Sequence, residues 1–453
     1  MSYTRNFATF ISSLSLQSVP PEVQHQAKRC FFDAVGVMIA GSFYSDTARV
    51  VKSLAQELEE VGESTIVGTN LRRSCMTAAF ANAAMAHALE LDDGSKYATY
   101  HPGASLIPTS LALAEKLGAS GRDLLEAIIC GYEVSLRIGT AVNPHHYLSG
   151  FHPTGTVAVF GTTAVSAKLL KLSEEEIVSA LGIAGSMACG INQYEIDGSN
   201  VKHLHPANAA RNGILAALLA KKGLSGPEHI LEGRLGFFKC YAQGNYDRKV
   251  LEEGIGSDFE ILRIYFKPYP SCRYVHYAVE AALELRKRYG IKAEDVESIN
   301  VRTHLNAKQG SDIPDYRTPL HARLSIQYGI ASVLVRGKAG MKEYTEDSIK
   351  DQCIKELVNK ITIEVDPEIQ KLYPNPRSLV LEINTKDNRV FSHRVDYPKG
   401  DPENPMSDSE LEEKFLDITE EALGRDKACL LMERLWSIDE VNNIRSISEL
   451  LML

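Results

Sequence analysis

Apolar residues recur at helical spacing over the first part of the chain. Phe7, Phe10, Ile11 and Leu14 form one stripe, and residues 21–40 and 75–93 carry the same texture, so all three stretches read as helices. Between residues 100 and 235 the pattern repeats. A His-Pro pair opens each alanine- and leucine-rich stretch, at His101, His152 and His205, spaced 51 and 53 residues apart. A second marker, Ser followed three residues later by an acid, stands at Ser120/Asp123, Ser173/Glu176 and Ser225/Glu228, spaced 53 and 52 residues apart. Ser and an acid at that spacing satisfy two orphan N–H groups of a helix start. Pro suits the first helical position because its missing N–H has no partner there anyway. The repeat predicts three helical hairpins stacked antiparallel, with the three histidines at equivalent ends. Residues 1 to 265 then read as one all-helical domain.

After the segment IYFKPYP the period changes. A helix over 274–289 leads into VESINVRTH, and KITIEVD and SLVLEINTKDNRVFSHRVDYP alternate as strands, the last a hairpin turning at 386–388. From residue 405 onward the chain returns to helix, with Ser407 and Glu410 as a further capping box. The expected architecture is therefore mainly α: a large helical domain of stacked hairpins (1–265 plus 405–453) and a smaller inserted α/β domain (266–404).

Composition is that of an ordinary folded protein, 453 residues with 44% hydrophobic and 24% charged. The 49 Lys and Arg against 58 Asp and Glu leave a net charge of −9, which repels nucleic acid and anionic membranes. An anionic substrate needs a local basic pocket set against that field. The eight cysteines are scattered singly, which argues against a zinc ribbon, an iron–sulfur site or a disulfide framework. No signal-type apolar region opens the chain, and the apolar run at 31–40 is broken by Asp33 and is shorter than the roughly 20 residues that span a bilayer. A cytoplasmic protein is expected, with neither membrane nor nucleic acid as partner.

Three segments carry candidate chemistry. The third His-Pro start reads NVKHLHPANAARNG, putting Lys202, His203 and His205 beside a helix N-terminus, where carboxylates and phosphates are held well. Taken singly, His101, His152 and His205 also suit cap or packing roles. The segment HALELDDGSKYATYHPG puts Glu90, Asp92 and Asp93 at a helix C-terminus, where each carboxylate is disfavoured by about 0.3–1 kcal/mol. A role in proton transfer with His101 explains that placement, and so does a solvated turn or pairing with Lys96. The third segment, YPSCRYVHYAVEAA, opens a helix with Cys272, Arg273 and His276, and an Arg set against the helix dipole reads as a carboxylate clamp. A nucleophilic Cys272 would need a paired base. The polar residues of RLSIQYG read as a polar face or a domain contact. No phosphate-binding loop and no HExxH motif occurs, GIAGSMACG sits inside a helical pattern, and no metal site is predicted.

The succession LELDDG, YHPGA, GFHPTGT, KHLHPANAARNG, KPYPSCRYVH and RLSIQYG resembles the MmgE/PrpD family in order and spacing, over nearly the whole chain. That family includes 2-methylcitrate dehydratase, cis-aconitate decarboxylase and iminodisuccinate epimerase. The resemblance implies a large helical domain, a smaller α/β lid domain, a homodimer, and a site between the domains that needs no metal or organic cofactor. Carried over by position, it implies catalytic roles for Asp93, His101, Lys202 and His276. Substrate contacts are expected from Glu90, Asp92, His152, His205, Cys272 and Arg273. Glu90 and Gly94 stand where decarboxylase members have Asp and Thr, and the spacing to His101 is one residue longer, which speaks against decarboxylation of cis-aconitate. The expectation is a lyase dehydrating a small di- or tricarboxylate, with His101 or Asp93 removing the proton and His276 protonating the departing hydroxyl. Epimerisation or decarboxylation in the same pocket, and a non-catalytic binding member of the fold, are the alternatives.

Overall fold

The computed structural model describes residues 2–58 and 60–452. The chain forms two compact units, Met1–Tyr265 with Ser407–Leu453, and Phe266–Met406.

In the first unit, Ser120 and Ser173 make full capping boxes with Asp123 and Glu176 and start the helices Gly121–Val142 and Glu174–Gly185. Each follows a partner helix, Gly103–Leu117 and Ala158–Leu169, across a short loop. These helices pack on one another and on Cys75–His87 and Leu204–Lys221, burying an alanine-rich core. The small residues allow close approach: a Cβ at Gly131 would sit 2.5 Å from Val165 Cγ2 and one at Gly161 2.7 Å from Ser135 Cβ.

The third repeat departs from the expected pattern at both markers. Ser225 lies in irregular chain and Glu228 in a turn, and neither starts a helix. Gly226 passes so close to the helix Glu174–Gly185 that a Cβ there would sit 2.2 Å from the Ser179 carbonyl, so the chain is wedged flat against that helix. His205 is not at the cap either. A 3₁₀ turn, Asn200–His203, runs directly into the helix Leu204–Lys221, whose N-cap is His203. Pro206 is tolerated at the third helical position because first-turn N–H groups have no intrahelical partner. His152 is a true N-cap with Pro153 at the first position, whereas His101 precedes Pro102, the cap of Gly103–Leu117.

The C-terminal segment belongs to this unit. Ser407 and Glu410 form their capping box, and the helix Asp408–Leu423 packs on Pro21–Tyr44. Phe415 meets Phe32 at 4.8 Å, and Lys414 reaches the buried Asp33 carboxylate at 2.6 Å. The same ammonium donates to the Leu91 carbonyl at 3.0 Å, so a helix from the far end of the chain pins the acidic segment.

The second unit holds a four-stranded mixed sheet. Val296–Thr303 lies between Ile361–Val365, to which it is parallel, and Leu379–Thr385, to which it is antiparallel; Val390–Val395 completes the edge as a hairpin. The helices Arg273–Tyr289 and Ile326–Arg336 pack together, and Val275, Val279, Tyr328, Ile299, Val301, Leu381 and Ile383 form the core. Among the described residues no helix is long and apolar enough to cross a membrane.

Candidate active site

The helix Cys75–His87 stops earlier than its apolar pattern predicts, and the chain turns sharply. Glu90 sits in the left-handed region at φ 55°, which costs a non-glycine residue about 1–2 kcal/mol. That strain is held by the ion pair its buried carboxylate makes with Lys202 Nζ. Lys202 comes from the 3₁₀ turn Asn200–His203, and its ammonium also lies 5.7 Å from the Tyr194 ring centre.

Asp92 and Asp93 point to different partners. Asp92 Oδ2 lies 2.6 Å from His87 Nδ1 and 3.6 Å from His101 Nδ1. Asp93 is buried with both oxygens engaged: Tyr132 donates its hydroxyl to Oδ2 at 2.5 Å, and the Gly103 N–H donates to Oδ1 at 2.7 Å. Burial pushes the Asp93 carboxyl up to about 7, with the negative charges of Asp33 and Asp92 adding to the rise and its two hydrogen bonds opposing it.

His101 has a defined tautomer. Its Nδ1 lies 2.7 Å from the Asp93 carbonyl oxygen, which can only accept, so Nδ1 carries a proton and donates it there. Its side chain is 18% exposed, whereas those of its neighbours are buried.

The three His-Pro histidines are brought together as the repeat predicts. The His101 N–H donates to Thr154 Oγ1 at 3.3 Å, beside His152, and His152 Nδ1 lies 2.8 Å from His205 Nδ1, so one of that pair donates to the other. Burial drives His152 well below the usual histidine range, helped by the positive charges of His87, His205, Lys202 and His101. Burial likewise lowers His205 to about 4, so both rings are neutral at physiological pH.

Two further histidines join this cluster. His87 is fully buried, with ring centres of His101, His152 and His203 at 5.3, 5.8 and 6.1 Å. His203, paired with Thr47 Oγ1 at 2.7 Å, is lowered by burial to about 3. His87 and Tyr132 escaped the sequence reading. Position alone could have flagged His87, since it closes the last turn of the helix that delivers Glu90. Tyr132 has no local signal, being 39 residues from Asp93 in sequence. Among the described residues no group of His, Cys, Asp and Glu side chains is arranged to hold a metal ion.

The remaining candidates form their own cluster in the second unit. Arg273 starts the helix Arg273–Tyr289, and its five N–H donors are all used there. They go to Asp401 (2.6 and 3.2 Å), the Pro398 and Lys399 carbonyls (3.0 Å each) and His276 Nδ1 (3.0 Å). The expected clamp is therefore closed on the protein's own carboxylate. His276 accepts from Arg273 at Nδ1 and donates Nε2–H to the Ser271 carbonyl at 3.1 Å, fully buried. Its proton is held by a carbonyl, which removes the geometric basis for a leaving-group acid. Cys272 is the N-cap of the same helix, and Ser311 Oγ lies 3.9 Å from its sulfur. Lys267 is fully buried in the KPYP segment, which the sequence reading used only as a boundary.

Comparison with known proteins gives a consistent picture. Residues 5–249 match the MmgE/PrpD N-terminal domain and residues 269–438 the MmgE/PrpD C-terminal domain. Cis-aconitate decarboxylase of Homo sapiens is 30% identical over 470 residues, covering 99% of this chain and 94% of that protein. Cis-aconitate decarboxylase of Aspergillus terreus is 26% identical over 472 residues, 99% of this chain and 95% of that protein. The 2-methylcitrate dehydratase of Escherichia coli (strain K12) is 26% identical over 401 residues, 83% of this chain and 81% of that protein.

Proposed function

Because the chain belongs to the MmgE/PrpD family, with matches to both of its domains, we propose that it is a cytoplasmic, cofactor-independent lyase that dehydrates a small hydroxy di- or tricarboxylate. The observation that carries the reading is the placement of His101, whose Nδ1–H is fixed on the Asp93 carbonyl, in one cluster with the buried Lys202 and the buried His152 and His205. Removing a proton from the carbon next to a carboxylate creates an enolate-like charge. Lys202 and the one ring N–H that the His152–His205 pair does not spend on itself are the donors on hand to stabilise it. In this reading Asp93 is a positioning residue: its carbonyl fixes the His101 tautomer, and its carboxylate is tied to Tyr132 and to the start of the helix Gly103–Leu117. Glu90 orients Lys202 and sets how much of its charge a substrate carboxylate meets.

Decarboxylation is the second reading, favoured by the full-length similarity to cis-aconitate decarboxylases, against 83% coverage for the dehydratase. Loss of CO2 leaves the same type of carbanion, so the base and cation set serves either course. Incubation with 2-methylcitrate, citrate, cis-aconitate and iminodisuccinate in D2O, followed by proton NMR, separates these readings. Loss of water supports the first, loss of CO2 the second, and deuterium uptake without net loss means epimerisation. No change in any acid while none raises the melting temperature would refute the lyase reading. A homodimer is part of the proposal, and a single-chain mass by light scattering would overturn that part.

A further inference from the structure

His87 has one ring nitrogen in use and one idle. Its Nδ1 lies 2.6 Å from Asp92 Oδ2, while Nε2 is buried and has no hydrogen-bond partner. Leaving such an atom unmet costs about 1–3 kcal/mol, which a purely packing role would avoid with an apolar side chain. The two nitrogens of an imidazole point in divergent directions, so Nε2 faces away from Asp92, and the His101, His152 and His203 rings stand around the same imidazole. Lys202 and Glu90 also act electrostatically on this cluster.

We propose that His87 is the second proton carrier of the site, delivering the proton that lets the substrate hydroxyl depart as water. The inference rests on the dehydratase reading above. The balance is complete. His101 Nε2 takes the carbon-bound proton, the C–H electron pair becomes the second bond of the alkene, and the C–O bond breaks. The departing oxygen collects the proton from His87 Nε2. In the step His87 gives up one proton and His101 gains one. Asp92, 2.6 Å from one ring and 3.6 Å from the other, therefore lies beside both the ring that loses a proton and the ring that gains one. A shared counter-ion of this kind removes most of the electrostatic penalty of moving charge within a buried cluster. His276 offers no equivalent, since both its nitrogens are bonded within the second unit.

The test is His87→Asn, whose side-chain amide reproduces the Nδ1–H toward Asp92 and deletes Nε2. With the hydroxy acid that the wild type dehydrates, kcat is expected to fall about 100-fold with KM within about threefold. Deuterium exchange at the substrate carbon, which needs only His101, is expected to persist, whereas His101→Asn should lose exchange and elimination together. A merely structural His87 would not split the two. Should His87→Asn fail to fold, His87→Gln, which puts an amide near the Nε2 position, is expected to show the same split. Unchanged kcat in either variant, or loss of exchange in step with elimination, overturns the assignment of His87 alone. A wild type that removes water from no hydroxy acid overturns the dehydratase reading and this role with it.

Discussion

Lys414→Met tests how the C-terminal helix holds the site. Lys414 pairs with Asp33 at 2.6 Å and donates to the Leu91 carbonyl at 3.0 Å, all in the buried interior of the first unit. Burial already raises the Asp33 carboxyl, and the Lys414 charge is the largest influence pulling it down. Methionine fills the volume without that charge, so Asp33 must take up a proton or remain an uncompensated anion. Protonating a carboxyl of ordinary pKa 3.8 costs about 4.4 kcal/mol at pH 7 and about 1.6 kcal/mol at pH 5, at about 1.4 kcal/mol per unit. The native variant holds a proton that the unfolded chain has released, so its stability falls as pH rises above 3.8. Thermal melts at pH 5 and pH 7 should show the deficit against wild type growing by about 3 kcal/mol between them. The double variant Asp33→Leu/Lys414→Met removes the stranded charge and should recover most of the stability. It leaves the Leu91 carbonyl without its donor, so kcat/KM should stay about 10–100-fold low through misplacement of Glu90 and Asp92. A deficit independent of pH would refute the charge argument, and a fully active double variant would refute the link from this helix to the site.

Three further outcomes follow from the same geometry. Tyr132→Phe removes a donor from Asp93, whose carboxyl stands at about 7, so that pKa should rise further; the variant should lose about 1.5–3 kcal/mol at pH 8, where wild-type Asp93 is ionised, and less at pH 5, checked by urea melts at both. His276→Gln should lower the melting temperature yet keep kcat within about tenfold, because both ring nitrogens serve the loop, and a thousandfold loss at unchanged stability would return His276 to the proton path. Prolonged dialysis against EDTA should leave kcat unchanged; activity restored only by an added divalent ion would contradict the cofactor-independent reading.

Much of the fold was legible because its signals are local. The capping boxes at Ser120, Ser173 and Ser407 need only the cap residue and the acid three positions on, and all three form. The same signal failed at Ser225, where a close approach of two backbones at Gly226 and Ser179 decides the conformation. Helix ends were misread for a related reason. The apolar run through Leu89 and Leu91 continues the helical pattern, but the helix ends at His87 and Lys414, more than 300 positions away in sequence, binds the Leu91 carbonyl.

The site divides along the same line. A repeat conveys relative position, so three histidines at matching points of three hairpins were expected to converge, and the contacts among His101, Thr154, His152 and His205 make that convergence concrete. What a repeat does not encode is how many of a side chain's hydrogen bonds are already taken. Arg273 and His276 read as strongly as Lys202 in sequence, yet the arginine spends five donors and the histidine both nitrogens on their own unit. His87 reads as a helix-end residue, yet it keeps a buried nitrogen without a partner. Chemical capacity in a buried cluster is set by the bonds left unmade, and those are fixed by tertiary neighbours such as Asp401, Ser271 and Asp92, none of which alters the residue types on which the motifs rest.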